Sequence, residues 1–347
     1  MKTTAVSLPR LTLPSSSGLT ARLGDFVTLM KPRVMLLAVF TALVGLLIAP
    51  RHLDPLHAAI AIMAIAAGGG AAGVLNMWYE SDIDAAMTRT AKRPIPRGKI
   101  SRAEALLFGT ALAGGAVATL GFALNVVAAA LLAFAIVFYV VVYTMWLKRR
   151  TPQNIVIGGA AGALPPVIGW AAATGSVGLE SLVLFLIIFL WTPPHFWALA
   201  LNRSDEYARA GIPMLPVVAG RAATTRQILI YSALLVPISL LPWVLGFAGP
   251  TYAAAVVVCG TIFIGFTVQL RLSRATDTRP AQRVFAFSIF YLFVLFAALL
   301  TGGSIDRAQT LSAPGAWANR ELAQSKLPSR LGHATRPSSS LVKTDGV

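Results

Sequence analysis

The sequence predicts an all-α integral membrane protein with nine transmembrane helices, and three observations lead to that prediction. Of the 347 residues, 56% are hydrophobic and only 12% are charged, which is about half the charged fraction of a soluble domain. Long apolar runs alternate with short polar connections. The basic residues fall almost entirely in every second connection. A chain this apolar cannot keep its whole surface in water, so lipid has to cover much of it.

Nine apolar runs can be marked along the chain, at 34–50, 56–79, 103–124, 126–147, 153–174, 178–201, 227–248, 250–270 and 284–302. Each has about the 17–25 residues that cross a bilayer core. Connections on the side of the N-terminus hold 22 of the 29 Lys and Arg residues, those on the other side hold only Arg51, and the C-terminal tail holds the remaining 6. Cytoplasmic loops are enriched in Lys and Arg, so the sequence predicts a cytoplasmic N-terminus.

The composition also limits the classes of function. The single cysteine, Cys259, lies in an apolar run, which excludes a disulfide framework and a cysteine-based metal site. The net charge of +16 follows from the membrane topology and does not indicate nucleic-acid binding. Both ends of the chain lack apolar periodicity. The sequence therefore predicts a disordered basic arm over 1–25, a nine-helix domain over 26–303 and a disordered tail over 304–347.

Acidic residues gather at the cytoplasmic end of the second apolar run. Asn76, Glu80 and Asp84 are spaced four residues apart, so in a helix they fall within about 80° of one another. Such groups at the membrane boundary are costly without a partner, and their oxygens suit Mg²⁺, which bridges carboxylates to substrate phosphates. Basic residues that can contact phosphate oxygens follow at Arg89, Lys92 and Arg93. A solvated helix end, in which these charges pair with one another, is the alternative interpretation.

A second acidic cluster, Asp205 and Glu206, lies at the cytoplasmic end of the sixth run. The pattern Leu-Asn-x-x-x-Glu occurs twice, ending at Glu80 and at Glu206. If the helix continues beyond the sixth run, His195, Asn202 and Glu206 share one face. Two such clusters at matching helix ends favour one polar chamber that holds a diphosphate with one or two metal ions.

Three further polar features lie near these clusters. Tyr143 and Lys148, at the end of the fourth run, could contact diphosphate oxygens or anchor the helix at the interface. Asn154 could line the chamber or cap the helix that follows Pro152. His195 lies within an apolar run beside the second cluster, and an ionisable group within a membrane span is a functional candidate.

At these residues the sequence resembles the UbiA superfamily of intramembrane prenyltransferases, over about residues 24–303. The acidic motif from Asn76 to Asp84 and the segment Arg93-Pro-Ile-Pro carry most of the resemblance. Two other segments, Thr192-Pro-Pro-His-Phe-Trp and Gly211-Ile-Pro-Met-Leu-Pro, are similar to the branch that farnesylates heme. The sequence departs from the family at Glu80, where Asp is usual, and its second cluster has fewer Asp residues than quinone-pathway relatives.

The resemblance implies a UbiA-type helical bundle that transfers the farnesyl group of farnesyl diphosphate to a vinyl group of protoheme IX, giving heme O and diphosphate. It implies Mg²⁺, with Mn²⁺ as an alternative ion, on the catalytic residues Asn76, Glu80, Asp84, Asp205 and Glu206. The implied diphosphate contacts are Arg89, Lys92, Arg93, Tyr143 and Lys148. The implied acceptor contacts are Asn154, His195, Trp197 and Asn202. The implied surroundings are the lipid bilayer of a bacterial inner membrane, or of a mitochondrial one, and a downstream heme-modifying enzyme.

Other functions match parts of the pattern. A superfamily member that acts on an aromatic or quinone precursor shares the acidic clusters, and only the region around His195 argues against it. A transporter places its ionisable groups near mid-membrane on broken helices, whereas these acids lie at one face. A purely structural subunit has no need of two acidic clusters among 22 cytoplasmic bases.

Overall fold

The computed structural model describes the backbone of residues 16–312 and the side chains of residues 22–301, and all regular structure in that range is helical. The helices are α1 (Ser16–Leu29), α2 (Pro32–Ile48), α3 (Pro55–Tyr79), α4 (Ser81–Ala86), α5 (Arg102–Ala123), α6 (Val126–Val137), α7 (Asn154–Ala163), α8 (Pro165–Thr174), α9 (Leu179–Leu201), α10 (Ser204–Arg209), α11 (Leu215–Val218), α12 (Gly220–Ile238), α13 (Leu241–Val244), α14 (Pro250–Leu272) and α15 (Arg279–Ser312). A π-helix over Phe138–Trp146 and a 3₁₀ turn over Leu147–Arg149 continue α6.

Eight helical segments of the described residues are long and apolar enough to cross a membrane. A ninth is counted when α1 and α2, which meet at a bend of 52°, are taken as one span. Each predicted apolar run corresponds to one of these segments. The predicted all-α membrane fold is therefore confirmed, while the cytoplasmic N-terminus stays a prediction.

The two ends of the domain differ in detail from the predicted boundaries. Helix α1 begins at Ser16 and α15 continues to Ser312, so both reach into segments predicted to be disordered. The predictions for 1–15 and 313–347 lie outside the described residues. The chain divides into two units, Met1–Gly303 and Ser304–Val347, and the residues that surround the site all belong to the first.

Proline interrupts the spans at two places. The predicted run 153–174 is two helices, because Pro165 and Pro166 have no backbone N–H to donate to the preceding turn. Helix α12 ends soon after Pro237, before the short α13. Helix α9, by contrast, continues through Pro193 and Pro194. The two long polar connections are not structureless either, since the first contains α4 and the second contains α10 and α11.

Two glycines allow α2 and α8 to pack backbone against backbone. A Cβ added to Gly45 would overlap the carbonyl group of Pro166, and one added to Gly169 would overlap that of Ala42. Small residues permit this close approach between membrane helices. The contact lies in the part of the hydrophobic core formed mainly by α2, α3, α5, α6 and α8, while α9, α12, α14 and α15 form most of the other part.

We expect Gly169→Ala to lower the free energy of unfolding by about 2 kcal/mol, because the backbone of α2 has to move to make room for the methyl group. Thermal unfolding of the purified protein in detergent measures the change. Gly115→Ala is the matched control, since nothing lies within 4 Å of a Cβ added there. Equal melting temperatures for the two variants would contradict the close contact.

Candidate active site

The junction of α3 and α4 places Asn76, Glu80 and Asp84 on one side of the chain. All three residues are at most 3% exposed. Although α3 ends at Tyr79, the backbone amide of Glu80 donates to the carbonyl of Asn76 at 3.0 Å, and that of Asp84 donates to the carbonyl of Glu80 at 2.8 Å. These two bonds preserve helical spacing across the junction. The alignment predicted from the spacing is therefore present in the structure.

Each of the two buried carboxylates is paired with a basic side chain. The Nζ of Lys148 donates to Oε2 of Glu80 at 2.6 Å. Nη1 of Arg93 donates to both carboxylate oxygens of Asp84, at 2.8 and 2.6 Å. Hydrogen bonds between charged groups are strong, and removing one member of a buried pair leaves an uncompensated charge. These pairs hold the carboxylates in place at the end of the bundle.

Lys31 belongs to the same cluster, although it lies outside both acidic motifs of the sequence. Its Nζ donates to Oδ1 of Asn76 at 2.8 Å, and Nδ2 of Asn76 donates to Oγ1 of Thr144 at 3.1 Å. Lys31 is the only non-glycine residue in the described range with a positive φ, 54°, a conformation that costs energy and often marks functional sites. The signal available in the sequence is a lysine before Pro32, between two helical segments.

The cluster has more positive than negative groups. Lys31 lies within electrostatic range of Glu80, Asp84, Arg93 and Lys148. Three basic groups thus surround two acidic ones in a region shielded from water. A buried charge needs a partner, so the excess of positive groups favours an anionic ligand.

Three buried carboxylate or amide oxygens have no hydrogen-bond partner among the described residues: Oε1 of Glu80, Oδ1 of Asn154 and Oε2 of Glu206. An unpaired buried polar atom costs about 1–3 kcal/mol. All three are the hard oxygen ligands that Mg²⁺ takes in proteins. Each of them is an oxygen to which a magnesium ion could bind.

The protein alone supplies only part of a coordination sphere. Within residues 22–301, no group of three His, Cys, Asp or Glu side chains is close enough to hold a metal ion. Mg²⁺ usually keeps water and substrate phosphate oxygens among its ligands, so a diphosphate would complete the site. The predicted set of five metal-binding residues stays a prediction.

The second cluster follows a break in the chain. Helix α9 ends at Leu201, Asn202 is its half-buried C-terminal cap, and α10 begins at Ser204. The helix does not continue, so the condition under which His195, Asn202 and Glu206 share one helical face is not met. The reason is the non-helical backbone of Arg203, with φ of −136°.

The acids of α10 differ in their surroundings. Asp205 is exposed, whereas Oε1 of the half-buried Glu206 lies 3.6 Å from Nη1 of Arg203. The next residue, Tyr207, is within electrostatic range of Lys148 and Arg89. Helix α10 therefore lies beside the first cluster.

Arg89 and Lys92, two of the predicted diphosphate contacts, lie at the protein surface. Partial burial lowers the pKa of the Arg89 guanidinium, and the nearby positive charge of Arg93 lowers the pKa further. A bound anion would relieve the repulsion between these two side chains.

Asp82 differs from its two acidic neighbours. Its side chain is 57% exposed and pairs with Arg149 at 2.9 Å. Partial burial raises the pKa of the Asp82 carboxyl, but the hydrogen bond and positive charge of Arg149 together with backbone hydrogen bonds outweigh that effect, and the pKa lies below its usual value. Asp82 therefore forms a surface ion pair outside the buried cluster.

A cavity of about 520 Å³ extends from Lys31, one member of the charged cluster, into the interior of the bundle. Lys31 and Tyr143 line it near the cluster, and His195 and Phe285 line it farther along the spans. Most of the remaining lining is apolar. This volume is typical of pockets that bind small molecules.

The π-helix supplies two aromatic rings to this cavity. Tyr139 and Tyr143 have ring centroids 5.3 Å apart, and both line the cavity. The Nζ of Lys148 lies 6.0 Å from the Tyr143 ring centroid. π-helical turns within α-helices occur frequently at functional sites.

The predicted acceptor contacts are not all on the cavity wall. His195 lines the cavity, whereas Trp197 packs edge-on against Tyr231, with ring centroids 5.4 Å apart. Asn154 is fully buried and donates through Nδ2 to the carbonyl of Thr151 at 2.7 Å. The acceptor roles of all four residues, Asn202 included, stay predictions.

The fold and the site define a polytopic membrane protein in which an apolar cavity meets a charged, oxygen-rich cluster. The chain belongs to the UbiA prenyltransferase family, whose profile matches residues 38–294. The family resemblance found in the acidic motif is thereby confirmed.

Curated relatives are similar over most of their length. The chain is 60% identical over 291 residues to protoheme IX farnesyltransferase 2 of Mesorhizobium japonicum, covering 83% of this chain and 92% of the relative. It is 62% identical over 281 residues to protoheme IX farnesyltransferase of Afipia carboxidovorans, and the match covers 80% of this chain and 90% of the relative.

Solved structures share the fold at low sequence identity. One solved structure comes from work on the biosynthesis of digeranylgeranylglyceryl phosphate synthase in membranes. It has a TM-score of 0.68 to this chain at 20% sequence identity, and the match covers 81% of this chain and 98% of that structure's chain. A UbiA homolog from Archaeoglobus fulgidus bound to GPP and Mg²⁺ has a TM-score of 0.59 at 18% identity, covering 79% and 99%. The UbiA-type helical bundle is confirmed.

Proposed function

We propose that the protein transfers the farnesyl group of farnesyl diphosphate to a vinyl group of protoheme IX, giving heme O and diphosphate. One observation carries the proposal: a single cavity joins the charged cluster at Lys31 to the apolar region around His195. A diphosphate fits the first region, and a prenyl chain with a large apolar acceptor fits the second. The names of the 60%-identical relatives support protoheme as that acceptor.

The basic side chains bind the leaving diphosphate. Lys31, Arg93 and Lys148 are at the cluster, and Arg89 and Lys92 add charge at the surface. In this proposal the bond between C1 of the farnesyl group and the diphosphate oxygen breaks, and the electron pair leaves with the diphosphate. Preorganised positive groups at the site of developing negative charge lower the barrier to that step.

The aromatic side chains of the π-helix stabilise the other product of bond cleavage. The allylic cation lies beside Tyr139 and Tyr143, whose faces attract positive charge. A vinyl carbon of protoheme then bonds to C1 of the farnesyl group. Water adds the hydroxyl group to the remaining vinyl carbon and releases a proton, so that atoms and charge balance.

The acidic cluster would hold Mg²⁺ in this reaction. Asn76, Glu80, Asp84, Asp205 and Glu206 are the residues we propose for it, supported by the unpaired oxygens of Glu80 and Glu206. When bound, the ion supplies Lewis-acid stabilisation of the leaving diphosphate. Mn²⁺ takes similar oxygen ligands, and we propose it as a substitute.

The experiment that tests this function uses purified protein in nanodiscs with farnesyl diphosphate, protoheme and Mg²⁺, analysed by liquid chromatography and mass spectrometry. We expect a product heavier than protoheme by one farnesyl group plus one hydroxyl group. EDTA should abolish it, and Mg²⁺ or Mn²⁺ should restore it. Prenylation of a quinone precursor without any heme product would instead establish the alternative acceptor class.

We also propose a bacterial inner membrane with the cluster at the cytoplasmic face, because 22 basic residues lie on that side. Inside-out vesicles should then use externally added farnesyl diphosphate, which cannot cross the bilayer. Activity confined to right-side-out vesicles would show the opposite orientation.

A further inference from the structure

His195 is enclosed by aromatic rings. Its ring stacks on Trp191 at a centroid distance of 4.3 Å and on Phe285 at 4.6 Å, while Phe196 borders it edge-on at 5.1 Å. Nδ1 lies 2.7 Å from Oγ of Ser288. Both ring faces and the Nδ1 position are thus occupied. Because His195 lines the cavity, the part of the ring left to face it lies away from Ser288, and Nε2 belongs to that part.

The partners of Ser288 determine which nitrogen of His195 carries the proton. Oγ of Ser288 donates its one proton to the carbonyl of Phe285 at 2.6 Å, a local bond common for serine within helices. Towards His195 the hydroxyl can then only accept a hydrogen bond. Nδ1 therefore carries the proton, and neutral imidazole has its lone pair on Nε2.

Ser288 also fixes the helix that carries His195. The carbonyl oxygen of Ser288 accepts a hydrogen bond from Nε1 of Trp191 at 2.7 Å. One residue of α15 thereby holds two side chains of α9 that lie one helical turn apart. Nε2 of His195 has no hydrogen-bond partner among residues 22–301.

We infer that Nε2 of His195 is the axial ligand for the iron of protoheme and that Ser288 is the positioning residue that prepares it. The inference rests on the proposed function and specifies how the acceptor binds. A histidine that ligates metal through one nitrogen usually donates its other N–H to an oxygen, which fixes the tautomer and ring orientation. Farnesyl diphosphate has no group that needs a nitrogen lone pair, whereas protoheme iron does.

The test is a titration of the purified, detergent-solubilised protein with ferric protoheme, followed by its Soret band. We expect Ser288→Ala to weaken protoheme binding by about 10- to 100-fold and to diminish the spectrum of imidazole-ligated heme. Binding of farnesyl diphosphate should remain unchanged. Ser288→Thr keeps the hydroxyl group, so it should restore both affinity and spectrum.

Ser232→Ala is the matched control. Ser232 is also buried in a helix, but its Oγ has no hydrogen-bond partner among the described residues. Its removal should leave the protoheme spectrum and affinity at the wild-type values. An equal loss in Ser232→Ala and Ser288→Ala would show a general packing effect and overturn the role of Ser288.

His195→Gly provides an independent measurement. We expect this variant to lose the imidazole-ligated spectrum and to regain it when imidazole is added. If His195→Gly and Ser288→Ala both bind protoheme with wild-type spectra while the wild-type enzyme makes heme O, the inference is wrong and the proposed function stands. If the wild-type protein neither binds nor converts protoheme, both are wrong.

Discussion

Glu80→Gln is expected to reduce farnesyl transfer by about a thousandfold. The variant keeps the shape of the side chain and an oxygen that can accept from Lys148, but it loses the negative charge. Glu80 has one oxygen paired with Lys148 at 2.6 Å and the other buried without a partner, so the charge is available to a cation. Initial rates of heme O formation at saturating Mg²⁺ measure the loss.

Asp82→Asn is the control for that experiment, because Asp82 lies two residues away in a surface ion pair. Exposed pairs contribute about 0–1 kcal/mol, so its rate should stay within about fivefold of the wild-type rate. Glu80→Asp should retain most activity, because the family usually has Asp at this position. Thermal unfolding of each variant separates loss of activity from loss of the fold. A wild-type rate in folded Glu80→Gln would refute the proposed role of the cluster.

Lys31→Met is expected to lower kcat/KM for farnesyl diphosphate by about a hundredfold, because hydrogen bonds to charged groups contribute about 1.5–3 kcal/mol each. The substitution preserves the length of the side chain and removes one of the three basic groups around Glu80 and Asp84. Protoheme affinity should not change, since His195 lies elsewhere along the cavity. Steady-state kinetics and the Soret titration measure the two quantities separately.

Lys99→Met removes a lysine whose side chain is 45% exposed and paired with Asp25, and it should leave both quantities unchanged. Equal losses in the two lysine variants would indicate a general effect of positive charge on the encounter with substrate. Wild-type kinetics in Lys31→Met would remove Lys31 from the diphosphate site.

The membrane fold could be predicted because its determinants are local. Each span is a contiguous apolar segment, and the alignment of Asn76, Glu80 and Asp84 follows from a four-residue spacing that the backbone keeps across the junction of α3 and α4. The positions at which a helix breaks are harder to predict from the sequence. Pro165 interrupts its span, whereas Pro193 and Pro194 do not interrupt α9. Whether a proline interrupts a helix depends on tertiary packing, so the presence of proline in the sequence does not by itself predict a break.

The contacts of the site could not be predicted because they join distant segments. Glu80 and Lys148 are 68 residues apart in the sequence, and His195 and Ser288 are 93 apart. Lys31 escaped notice because its role depends on a left-handed backbone that brings its side chain to α3. The charge pattern identified which residue types gather at this end of the bundle, but the pairing among them is a property of the fold.

The π-helix over Phe138–Trp146 determines the direction in which the end of its span points. Each backbone bond in it spans one residue more than in an α-helix, and one residue of offset corresponds to about 100° of rotation. If the span were α-helical throughout, Lys148 would emerge on a different side of the helix. The π-helix therefore rotates the side chains that follow it around the helix axis. It presents Tyr139 and Tyr143 to the cavity and turns the lysine that follows towards the carboxylates, so that one helix serves both halves of the site.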